Sequence, residues 1–215
     1  MTDTISAAMV KELREKTGAP MMDCRSALVE AQGKMDDAVV VLRKKGMASA
    51  AKKASRAASE GAVGTYIHAG GKIGVLIEIN CESDFVARTE DFQELLKDIA
   101  MHIAASDPRY IRKEDVTAED MEREKEIYRA QAAQAGKPAP VIEKIVEGKM
   151  SKFYEEVCLL EQPFIKEQTV TIGQLIAQKV GKLGENIMVR RFARFKVGET
   201  NWTVAQIRSA TEETA

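Results

Sequence analysis

Apolar residues recur at helical spacing three times before residue 46. Met9, Val10 and Leu13 form the first set and stop near Thr17 and Gly18. Pro20, a residue favoured in a first helical turn, introduces Cys24, Ala27, Leu28 and Ala31. Ala38, Val39 and Leu42 follow Gly33 and end before Gly46. None of these helices is long enough to persist alone, so the three are expected to pack on one another. The period then changes. Val63, Thr65 and Ile67 alternate, as do Ile73, Val75, Ile77 and Ile79, and Ala69-Gly70-Gly71 between them reads as a hairpin turn. Thr89 is an expected N-cap, with Glu90 and Asp91 suited to the helix dipole. Phe92, Leu95, Leu96, Ile99 and Ile103 then return to helical spacing.

Thr117 with Asp120 has the form of a capping box opening a further helix, whose charged residues run to Arg129. Gly136-Lys137-Pro138-Ala139-Pro140 breaks the chain, and shorter helices are expected over 140–161. Thr171 with Gln174 opens a last helix carrying Leu175, Ile176 and Val180. The β-rich stretch Ile187 to Val197 is read as a third strand joining the hairpin, because two strands alone are marginal. Residues 211–215 are expected to fray. The fold class is therefore α+β: an amino-terminal three-helix module, then a core of a small three-stranded antiparallel sheet covered by helices. The expected divisions are a helical module over 1–46, a basic helical linker over 47–60, an α+β core over 61–198 and a tail over 199–215.

Composition narrows the function classes. Hydrophobic residues make up 45% and charged residues 30%, which suits a soluble globular chain rather than a disordered one. With only 5% aromatic residues, the core must be mostly aliphatic. The net charge of -1 gives no sign of a nucleic-acid or membrane partner. No apolar run approaches the ~20 residues that span a bilayer. Met1-Thr2-Asp3-Thr4 lacks the features of a signal peptide, so a cytoplasmic protein is expected. Cys24, Cys81 and Cys158 are odd in number and widely separated, which reads as three reduced thiols rather than a disulfide framework or a zinc site.

The residues suggest no covalent chemistry. His68 and His102 are far apart: His102 is expected to be structural, and His68, at the hairpin tip, is a candidate partner contact. No nucleophile and base can be paired, and no metal-ligand spacing appears. Gly71-Lys72 fails as a phosphate loop, because Ile73 follows the lysine and Tyr66 stands where the leading glycine belongs. No cofactor or metal is expected, and any work on nucleotides must pass through another protein. Between Asp37 and Glu60 lie Arg43, Lys44, Lys45, Lys52, Lys53 and Arg56 with no acidic residue, either a docking surface for an acidic partner or a solvated linker. Ser83-Asp84-Phe85-Val86 also has two readings. Phe85 folds back into the core while Asp84 serves turn amides, or the ring projects to meet a partner.

Two segments resemble the elongation factor Ts family. They are Val10-Lys11-Glu12-Leu13-Arg14-Glu15-Lys16-Thr17-Gly18-Ala19-Pro20-Met21-Met22-Asp23-Cys24 and Asn80-Cys81-Glu82-Ser83-Asp84-Phe85-Val86-Ala87. The second is similar to the family's Thr-Asp-Phe-Val loop, with Ser83 in place of threonine and its hydroxyl kept. Gly70 to Leu76, Gln162-Pro163-Phe164 and Phe195 to Glu199 extend the likeness over nearly the whole chain. The resemblance implies an amino-terminal module of the ubiquitin-associated type that grips elongation factor Tu, a GTPase, with Lys11, Arg14, Met21, Met22 and His68 as contacts. It implies that Ser83, Asp84, Phe85 and Val86 enter near the partner's magnesium and phosphate sites and loosen GDP, so that the chain is a nucleotide exchange factor and not an enzyme. A phenylalanine buries roughly 150–250 Å², or on the order of 4–6 kcal/mol gross, enough to oppose a bound nucleotide.

Longer members of the family carry two related halves of the sheet core, whereas one set of hairpin and third strand can be counted here, and short members pair. The expectation is a homodimer through the sheet or its flanking helices. The rival class is a nucleic-acid-binding ribosome factor using the basic run and Arg190, Arg191 and Arg194. The balanced charge and the lack of stacking aromatics on the strands weigh against direct nucleic-acid binding.

Overall fold

The computed structural model describes residues 5–199 and the backbone of 203–206; the fraying expected at 211–215 lies outside them. The elements in order are α1 (Ala7–Thr17), α2 (Met21–Glu30), α3 (Met35–Lys53), β1 (Glu60–Ile67), β2 (Ile73–Cys81), α4 (Asp84–Ala87), α5 (Glu90–Ser106), α6 (Ala118–Gln134), α7 (Ala139–Val157), β3 (Pro163–Phe164), β4 (Glu167–Thr171), α8 (Ile172–Leu183), β5 (Ile187–Lys196) and β6 (Thr203–Gln206). The fold is α+β, and the main sheet has the order β1-β2-β5-β6. The three expected strands are all in it. A fourth joins beyond them: β6 pairs antiparallel with β5, Arg191 opposite Gln206 and Arg194 opposite Thr203. A separate two-stranded sheet, β3-β4, was too short to announce itself by alternation. Contacts divide the chain into two compact units, Met1–Ala62 with Ile79–Leu95 and Gln174–Met188, and Val63–Glu78 with Leu96–Gly173 and Val189–Ala215.

In the first unit, the Ser6 hydroxyl caps α1 by accepting from the Met9 N–H at 3.2 Å. Gly18, at φ 65°, ends the helix in the left-handed region with its N–H on the Arg14 carbonyl. Pro20 is the N-cap of α2 rather than a residue of its first turn. Val10, Leu13, Cys24, Ala27, Leu28, Ala31 and Ala38 close a small core among the three helices. Each fully buried leucine there contributes about 1.5–3 kcal/mol relative to exposure.

The third helix does not stop before Gly46. It continues to Lys53, although a glycine inside a helix costs about 1 kcal/mol relative to alanine. The reason is a close helix crossing. A Cβ built at Gly46 would lie 3.5 Å from the Ala177 carbonyl oxygen of α8, and one at Gly181 only 3.4 Å from the Gly46 Cα. Missing side chains let the two backbones approach.

In the second unit, α6 and α7 form an antiparallel hairpin over Val116, Val146, Met150, Phe153, Val157 and Cys158. The shorter helices expected over 140–161 are one α-helix of 19 residues ending at Val157, followed by a single 3-10 turn at Leu159–Glu161. Pro140 does not break the helix because it sits in the first turn, where a missing N–H leaves no bond unmade. The strands of this unit show an inversion. Val75 and Ile77 of β2 are buried, whereas the alternating Val63 and Ile67 of β1 are exposed. The apolar alternation of β1 therefore marks an outer sheet face, shared with Leu76, which lines one shallow cavity with Val63, Arg191 and Ala193.

His102 is wholly buried on α5. Gln162 spends its amide donor on the Glu156 carbonyl at 2.7 Å, so its oxygen faces the imidazole Nε2 at 2.9 Å and the ring carries its proton there. Burial, which outweighs this hydrogen bond, lowers the His102 pKa below its ordinary 6.5. The unfolded chain therefore binds the proton more readily than the folded one. This contribution is intact above pH 6.5 and is lost progressively as pH falls below it, by up to ~1.4 kcal/mol per pH unit. Melting temperature measured from pH 7.5 to 5.5 should fall more steeply in the wild type than in His102→Asn; parallel slopes would refute the assignment.

Candidate functional site

The site begins where β2 ends. Cys81 closes the strand, Ser83 takes extended backbone angles as the N-cap of α4, and α4 is a single turn from Asp84 to Ala87. Thr89 then turns the chain into α5, its hydroxyl donating to the Val86 carbonyl at 2.8 Å and accepting from the Phe92 N–H at 3.3 Å. The Ala87 carbonyl accepts from the Gln93 side-chain amide at 2.7 Å. Val86 and Ala87 are buried, and the Asp84 carboxylate pairs with Arg88 at 2.6 Å. Phe85 points away from these contacts. It is 79% exposed.

One carboxylate secures the entry to this turn. Glu185 Oε2 accepts from the backbone N–H groups of Glu82 at 3.1 Å and Ser83 at 2.9 Å, and Oε1 accepts from the Ser83 hydroxyl at 2.6 Å. The contact is reciprocated. Glu82 Oε1 accepts from the Asn186 N–H at 2.6 Å and lies 3.5 Å from Arg56, while the Asn186 side chain donates to the Arg56 carbonyl at 2.9 Å. The bonds to the Glu185 and Glu82 carboxylates are charge-assisted and stronger than neutral ones. Of the two readings left open for Phe85, folding back into its own core is excluded by this geometry.

The other expected contacts are dispersed. Lys11 and Arg14 lie exposed on α1, Lys11 3.8 Å from Glu15. Met21 and Met22 open α2, Met22 at 69% exposure. His68 belongs to the second unit, exposed beyond β1, with Nδ1 3.2 Å from the Tyr66 hydroxyl. Val86, grouped with the loop by sequence, points inward.

Several of the basic residues have internal partners. Arg194 is only 5% exposed and meets Asp107 at 3.2 Å and Glu199 at 3.4 Å, while Arg191 meets Glu78 at 2.6 Å. Lys45 is held by Glu30 at 3.1 Å and Ser26 at 3.0 Å. Such partners leave less charge for phosphate backbones. Among the described residues, no cluster of three or more His, Cys, Asp or Glu side chains could hold a metal ion, and no helix is long and apolar enough to cross a membrane. The three cysteines are free and buried; burial pushes the Cys158 thiol up to about 12, which makes it a poor nucleophile.

A family model described as Elongation factor TS matches residues 4–199. The chain belongs to the elongation factor Ts family. It is 74% identical to the elongation factor Ts of Koribacter versatilis over 97% of this chain and 95% of that one. The elongation factor Ts of Solibacter usitatus is 65% identical, over 91% and 92% of the two chains, and that of Geobacter sulfurreducens 60%, over 91% of each. Family membership places the protein in the elongation stage of translation. In this member, sequence reasoning named the displayed loop but missed the residues that hold it, Glu185 and Asn186. The available signal was Gly184, a helix-ending glycine at φ 81° directly before them.

Proposed function

We propose that this chain is the guanine-nucleotide exchange factor of elongation factor Tu, and that Phe85 is its wedge. The carrying observation is an aromatic ring held in water on an anchored turn. A ring held out in this way keeps its large burial area available to a partner surface. Mg²⁺ keeps near-ideal octahedral geometry and bridges the nucleotide phosphates to the GTPase. A ring that shifts a neighbouring helix or switch loop by about an ångström spoils that coordination. GDP then leaves and GTP rebinds. Linkage makes the effect mutual: the factor weakens GDP as much as GDP weakens the factor. No bond is made or broken, so the protein is not an enzyme and works in the cytoplasm without a cofactor of its own.

Docking is assigned to the amino-terminal helices, where Lys11, Arg14, Met21 and Met22 form the exposed contacts, with His68 as a further one. Methionine suits such a surface because its unbranched chain adapts to an apolar groove. A second copy of the chain is assigned to the outer sheet face. Val63, Ile67, Leu76 and Val197 are large apolar residues left in water there or beside it, and a homodimer would cover them.

Phe85→Ala should slow release of a fluorescent GDP analogue by at least tenfold in stopped flow, with an unchanged circular dichroism melt; an unaltered release rate would remove the wedge. Met22→Asp should weaken calorimetric binding to the GTPase by tenfold or more and leave release at saturation unchanged. Light scattering at tens of micromolar should report a dimer that Leu76→Arg dissociates, and a monomeric wild type would reject the second copy.

A further inference from the structure

The carboxylate at Glu185 contributes nothing to a hydrophobic core, yet the chain turns sharply to present it. The last helical turn of α8 closes with the Gly184 N–H on the Val180 carbonyl at 3.0 Å, and Gly184 takes φ 81°, a region that side chains disfavour. Glu185 follows at once and takes three hydrogen bonds from the start of the Phe85 turn, whose donors lie about a hundred residues away in sequence. Two of those donors are backbone N–H groups, so the carboxylate fixes main-chain orientation as well as one side chain.

We infer that Glu185 is a positioning residue for nucleotide release, acting through Phe85. The inference rests on the reading of Phe85 as a wedge. A wedge displaces its target only if its own support is stiffer than what it pushes. On a loose turn the ring swings aside and the partner keeps its geometry, although the remaining docking surface still binds. Loss of Glu185 therefore lowers the rate of release from the docked complex and spares docking itself. Two acceptor oxygens are needed, one for the backbone pair and one for the hydroxyl. Glutamine keeps the first and offers an N–H to Ser83 Oγ in place of the second, so it restores part of the support; alanine restores none.

The test is stopped-flow release of a fluorescent GDP analogue from the GTPase over a range of factor concentrations. It compares wild type, Glu185→Gln, Glu185→Ala, Phe85→Ala and the double variant Phe85→Ala/Glu185→Ala. The plateau rate should fall at least tenfold in Glu185→Ala and two- to fivefold in Glu185→Gln, with half-saturating concentrations within twofold of wild type. The double variant should match Phe85→Ala within twofold, because both changes disable one device. Amide hydrogen exchange at 84–88 should quicken in both Glu185 variants while α5 stays protected; this readout and Glu185→Gln carry the test if the alanine variant does not fold. Unchanged plateaus in both Glu185 variants, or a double variant whose losses multiply, would overturn the positioning role. A wild-type plateau in Phe85→Ala would instead overturn the wedge on which it rests.

Discussion

The turn that holds the Phe85 ring in water is anchored on both sides. Upstream, three hydrogen bonds reach the Glu185 carboxylate; downstream, Val86 and Ala87 are buried and the Thr89 hydroxyl and Gln93 amide take their carbonyls. At roughly 1 kcal/mol or more for each charge-assisted bond, the upstream anchor rivals what Phe85 would gain by collapsing inward. Neighbouring side chains take the inward positions, so a single helical turn directs its one large ring outward.

The same balance between local rule and tertiary demand recurs in α3 and β1. Gly46 is a weak residue for a helix interior, yet α3 runs through it because Gly46 and Gly181 permit close backbone approach. The exposed alternation of β1 is the converse case: Val63 and Ile67 follow the period of a half-buried strand, but the covered half is the face bearing Gly64 and Tyr66. Arg194 illustrates the electrostatic version. A charge that reads as surface basicity is nearly enclosed, and it is tolerated there because Asp107, Glu199 and the Ala104 carbonyl meet it.

Family membership describes a translation elongation factor, and its contacts show how the displayed turn is held. Some of its ionisable residues are spent on internal pairs: Lys179 and Lys182 both hold Asp91, at 2.8 and 2.7 Å. Burial pushes the Asp91 pKa up, but the two lysines together outweigh it and hold the carboxyl below its ordinary value.

By itself the sequence determined the elements whose periodicity is repeated several times: the three amino-terminal helices, the hairpin, the helix after Thr89 and the strand after Ile187. It also determined the family and the loop at 83–86, because short motifs survive intact as strings of residues. Tertiary structure decided what depends on pairs distant along the chain. The backbone leading into the Phe85 turn is held by Glu185, about a hundred positions downstream, α3 passes Gly46 because α8 carries Gly181, and Val63 lies on the outer face while Val75 and Ile77 take the inner one. Local spacing sets which residues can share a face. Only packing sets which face is buried, since that is settled by what the folded chain brings against it.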